Sequence, residues 1–153
     1  MLRAALFNAM NKSIDVALIL WNQDVIDLVA WVLLHRNLRS GGVEPSAGDE
    51  KIESLIRSLS PTVVVFDLGP PYVRSTQALR RLLNRFPDRL FVMTCADKTM
   101  ALKTAPWLSH HALLEKPYEI DDIANMIRGL VTSAGGSQCC VSVYGPGARL
   151  AIH

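Results

Sequence analysis

The chain has 153 residues and a formal net charge of +2; half of it is hydrophobic, 20% is charged and its mean hydropathy is +0.21. A length in this range is that of one domain, which buries about 70% of its unfolded surface and needs no disulfide or structural metal to hold a core. The apolar fraction excludes a disordered chain, and the small net charge argues against a dedicated nucleic-acid binder, which carries a clear basic excess.

Residues 1–14 read as a leader: 1–10 hold one Arg in a short mixed apolar run, without the sustained apolar stretch and small-residue cleavage site of a signal peptide. The three cysteines, Cys95, Cys139 and Cys140, show no C-x-x-C spacing. They form neither a disulfide framework nor a zinc motif, and a reducing cytoplasm is the expected location.

Residues 15–21 (DVALILW) are continuously apolar after Asp15, as in a strand covered on both faces. The helix expected over 25–38 presents Ile26, Val29, Ala30, Leu33 and Leu34 on one face, and Asn22 and Asp24 are both suitable caps. The stretch 16–34 is nearly long enough to span a membrane, but Asp24 and Asp27 stand near its middle. Each would cost roughly 2.5–3.5 kcal/mol on insertion, so a strand followed by a helix is the better reading.

Gly41, Gly42 and Pro45 allow 40–47 only a short edge strand. Residues 49–59 form a helical pattern with Ile52, Leu55, Ile56 and Leu59 inward, stopped by Ser60-Pro61. The β-branched run 62–66 (TVVVF) is the strongest strand signal, and Asp67 ends it. A helix over 73–86 follows, with Arg74, Arg80, Arg81 and Arg85 on its solvated side. Then come a strand over 89–94, a helix within 97–108 limited by Pro106, a short strand over 112–114 and a helix over 120–131.

His110 and His111, read as neighbours on a strand, would point to opposite faces and so make no joint metal site. Residues 132–153 read as a small-residue linker and a tail, with a hairpin possible around Gly145-Pro146-Gly147.

This alternation predicts an α/β fold with a parallel sheet in one domain over 15–131. Ligands of such sheets bind outside the carboxyl ends of the strands. The residues expected there are Trp21, Asn22, Gln23 and Asp24 after the first strand, Asp67 after the third, Thr94 and Cys95 after the fourth, and Lys116-Pro117 after the fifth. No glycine-rich phosphate loop follows the first strand, which argues against a nucleotide-binding relative of this architecture.

In VVVFDLGPP, FVMTCA and LLEKP, taken in order, the chain from about Asp15 to Val131 resembles the receiver domain of bacterial two-component response regulators. The resemblance implies a five-stranded parallel sheet in the order 2-1-3-4-5, with two helices on one face and three on the other. It places Asp67 at the phosphoacceptor position, with Pro71 four residues later. It makes Thr94 and Lys116 the phosphate-contact positions and Pro117 a candidate cis-proline.

In that family a histidine kinase phosphorylates the aspartate. A Mg²⁺ ion held by the phosphoacceptor and an acidic pair after the first strand offsets the charge repulsion. Here Trp21 and Asn22 stand where the acidic pair belongs, and Asp24, two residues on, is at best a weak ligand. Leu113 occupies the position of the aromatic that reports phosphorylation in many receivers, and Ser75 stands where the loop after Pro71 carries a glycine.

The expectation is a divergent pseudo-receiver: not an enzyme, without a cofactor, working through protein–protein contacts. Its partner would be a histidine kinase, a phosphotransfer protein or another receiver; a homodimer is also allowed, while nucleic acid and membrane are not expected. Lys116 is expected to pair with Asp67, Trp21 to fill the cation pocket and Cys95 to be a small buried hydrophobe. Thr94 is equally readable as a packed strand threonine. The alternative is a working receiver phosphorylated on Asp67, with Mg²⁺ held weakly by Asn22, Asp24 and Asp67.

Overall fold

The computed structural model describes residues 14–135. The cysteine pair Cys139-Cys140 and the hairpin expected near Gly145-Pro146-Gly147 lie outside them, as do the first 13 residues.

Strand β1 (Ile14–Ile19) is followed by helix α1 (Gln23–Leu34), then β2 (Leu38–Val43) and α2 (Asp49–Leu59). The chain continues through β3 (Val63–Leu68), α3 (Tyr72–Arg85), β4 (Leu90–Cys95), α4 (Lys98–Thr104), β5 (Ala112–Glu115) and α5 (Ile120–Gly135). All neighbouring strands pair in parallel, in the order β2-β1-β3-β4-β5. This is the architecture expected from the sequence.

Side chains alternate across each strand. Val16, Leu18, Val63 and Val65 therefore pack against α1 and α5, through Ile26, Val29, Leu33, Ile123 and Ile127. Ala17, Ile19, Val64 and Phe66 pack on the other face against α2, α3 and α4, through Ile52, Ile56, Leu79, Leu82 and Ala101. Two dry layers explain why the central strands read as unbroken apolar runs.

Several boundaries differ from the sequence expectation. The helix expected over 25–38 ends at Leu34; Asn37 takes a left-handed turn (φ 61°), and Leu38 opens β2 as a fully buried residue. Gly42 pairs with Leu18 in β2, and a side chain there would collide with Ile26 of α1. That close approach, rather than a weak strand, accounts for the glycine.

The segment 97–108 divides at Ala105-Pro106 into α4 and a 3-10 turn, Pro106–His110. His110 belongs to that turn and His111 follows it, stacking edge-on to Trp107, so neither is a strand residue. α5 continues through Gly135, four residues beyond the boundary expected at Val131; the Ser133 hydroxyl donates to the Gly129 carbonyl inside that extension. The arginines of α3 are exposed as expected, but Arg81 pairs with Asp49 at 2.8 Å and Arg85 with Glu53, tying α3 to α2.

No helix among the described residues is long and apolar enough to cross a membrane. The run 16–34 is divided between β1 and α1.

Candidate functional site

β3 brings Asp67 to the carboxyl edge of the sheet as an inner residue of the strand, opposite Thr94 of β4. Asp67 is 2% exposed. A carboxylate buried to this degree must be hydrogen-bonded and charge-balanced. Thr94 Oγ1 donates to Asp67 Oδ1 at 2.7 Å, and Lys116 Nζ lies 2.9 Å from each of the two carboxylate oxygens.

Lys116 follows β5 and is held by its own backbone N–H, which donates to the Cys95 carbonyl at 2.8 Å. Its peptide bond to Pro117 is cis, as is that of Pro70-Pro71. Lys116 is 40% exposed along its side chain, so the pair has one dry partner and one wet one.

Trp21 and Asn22 occupy the turn between β1 and α1. The Asn22 side-chain oxygen accepts from the Asp24 backbone N–H at 2.7 Å, which makes Asn22 the helix cap. Its one acceptor atom is thus turned to the helix. Asp24 lies exposed in the first turn of α1, where its charge complements the helix dipole.

Trp21 packs on Gly69 in the β3–α3 loop, so closely that a Cβ there would enter the indole ring. Two grooves flank this contact. One, about 350 Å³, is lined by Trp21, Asp67, Pro71, Arg74, Ser75 and Arg81 among others. The second, about 330 Å³, is lined by Trp21, Asn22, Val25, Asp67, Lys116 and Tyr118 among others. Trp21 and Asp67 border both, while Asp24 borders neither.

Tyr118 is a site residue that the sequence reading missed. Burial pushes its hydroxyl up to about 12, the negative charge of Asp67 adds to the rise, and a side-chain hydrogen bond with Thr94 opposes it. Tyr118 lines the groove that Asp67 and Lys116 also border. Leu113 is buried in the layer that holds α2, α3 and α4. The only signal in the sequence was a tyrosine directly after Lys-Pro.

Cys95 is fully buried beside the site, and burial pushes its thiol up to about 11, so it is an inert thiol. Among the described residues, no three His, Cys, Asp or Glu side chains gather as a metal site would require.

No protein-family model matches the chain, and no curated protein sequence matches it. Solved structures do. A response regulator from Thermotoga maritima superposes with a TM-score of 0.64 at 15% identity, over 79% of this chain and 99% of that one. A CheY-like receiver domain protein from Methanospirillum hungatei gives a TM-score of 0.67 at 13% identity, over 81% and 98%. The isolated receiver domain of RcsB from Salmonella enterica, solved with the phosphomimetic BeF3-, gives 0.61 at 14% identity, over 88% and 99%. The chain therefore has the receiver fold.

Proposed function

We propose that this chain is a receiver-like module of two-component signalling that works through protein–protein contact, without metal-dependent phosphorylation. The observation that carries the reading is the turn after β1, where an indole and a helix-capping amide stand at the positions that the resemblance gives to an acidic pair.

A divalent cation at such a site prefers several hard oxygen ligands, with carboxylates among them. Asp67 is the one carboxylate bordering both grooves beside Trp21, and Lys116 already balances its charge. Asn22 spends its oxygen on the helix cap, and Trp21 offers none. The residues present do not fit the ion.

Lys116 and Thr94 then act structurally: Lys116 neutralises Asp67, Thr94 hydrogen-bonds to it, and the two hold the carboxyl edges of β3, β4 and the residue after β5 together. The module is not an enzyme in this reading. Its partner is a kinase, a phosphotransfer protein or another receiver. The test is the intact mass after exposure to Mg²⁺ and acetyl phosphate: no added phosphoryl group supports the reading. A gain that disappears in Asp67→Asn would establish the working phosphoacceptor instead.

A further inference from the structure

α1 is apolar on both sides. Its inner residues Ile26, Val29 and Leu33 are buried against the sheet, yet Val25, Leu28, Trp31 and Leu34 are exposed by 42, 53, 62 and 60%. Single exposed apolar residues are ordinary, but several large ones on one helix mark an interaction surface. Leu28, Trp31 and Leu34 recur at helical spacing along the outward side, and Val25 closes the edge toward Tyr118. Asp24 and Asp27 lie at the amino end of this face. His35 lies at its carboxyl end, where it stacks edge-on to Trp31 at 4.6 Å.

We propose that this face of α1 is a homodimer interface, covered by α1 of a second copy in antiparallel orientation. The face is self-complementary. A two-fold axis beside the middle of the helix, level with Val29 and Ala30, sets Leu28 opposite Trp31 and Asp24 opposite His35. Apolar side chains meet in the centre, and an imidazole N–H faces a carboxylate at each end. Two carboxylates at one end of the stripe make a lipid surface a poor match.

The nearby cation Arg36 is engaged elsewhere, paired to Asp121 of α5 at 2.6 Å, so it holds α1 to its own domain. One helix face is small beside standard interfaces, which bury about 1,600 Å² in total, and the dimer is therefore weak. Dimerisation is independent of the chemistry at Asp67. A monomer whose mass is unchanged by acetyl phosphate would overturn this inference and leave the functional reading intact.

Light scattering or sedimentation equilibrium of the full chain across a concentration series tests the proposal. The mass is expected to rise from 16.9 kDa to twice that value. Trp31→Glu is expected to weaken association by at least about 10-fold, with an unchanged melting temperature at concentrations where the native chain is monomeric, because the side chain is exposed there. Asp24→Lys and His35→Glu are each expected to weaken it several-fold, and combining them is expected to restore it. A monomeric mass throughout would overturn the proposal and leave the face to a foreign partner or to residues 1–13. So would a dimer indifferent to Trp31→Glu.

Discussion

The indole of Trp21 packs on the α-carbon of Gly69 at the carboxyl edge of the sheet, between two grooves that Asp67 also borders. Glycine is required there for close approach rather than for an unusual backbone angle. Gly69→Ala should therefore cost about 1–3 kcal/mol by overpacking, measured by urea unfolding. In a Trp21→Ala background the same substitution should cost far less. Equal costs in the two backgrounds would show that the residues are not coupled.

Asp67 is a buried charge with two partners. Lys116→Met leaves it without a cation and should destabilise by about 1–3 kcal/mol, less than the roughly 3–5 kcal/mol of a broken fully buried pair because Lys116 is partly exposed. Thr94→Val should cost about 1 kcal/mol. In an Asp67→Asn background both penalties should shrink, since the charge that needs them is gone. Undiminished penalties would mean that Lys116 and Thr94 act by packing alone.

Most of this arrangement was legible in the sequence because it rests on strand ends. A parallel strand covered on both faces must be apolar throughout, so the polar residue that breaks each run marks the sheet edge. The same logic brings Asp67, Thr94 and Lys116 to one edge of the sheet.

What it missed depended on packing between segments. Tyr118 enters the site through the turn after Lys116, and nothing in its neighbours' pattern announces that direction. Likewise Leu38 continues the helical spacing of α1, and only its pairing with Ile14 at the head of β2 assigns it to a strand. The short edge strand expected around Gly41 and Gly42 is β2, but the reason for Gly42 was not legible, because Ile26, the residue it accommodates, lies on another element.

If Trp21 and Asn22 stand where two metal-binding carboxylates would be, restoring them should restore the site. Trp21→Asp combined with Asn22→Asp should bind Mg²⁺ measurably by titration calorimetry, with a loss of stability from the missing indole packing. Asp at position 22 keeps the helix cap, so the helix start should survive. No Mg²⁺ binding by this variant would mean that the turn after β1 does not correspond to an acidic metal site.

His111 gives a pH dependence at the far end of the sheet. Burial holds its imidazole below the ordinary 6.5, and the adjacent His110 adds to the depression. The folded state thus binds this proton less readily than the unfolded chain. The stability it contributes is present above pH 6.5 and is lost as pH falls through and below that value. Melting temperature should fall on acidification, and His111→Gln should flatten part of that fall. An identical slope in the variant would contradict this.

The proposed function puts Asp67 at a phosphoacceptor position in a pocket without metal chemistry. Its most direct test is the intact mass of the full chain incubated with Mg²⁺ and acetyl phosphate, beside the Trp21→Asp, Asn22→Asp variant and Asp67→Asn. The account predicts no phosphoryl adduct on the native chain. An adduct on the native chain that is absent from Asp67→Asn would contradict it.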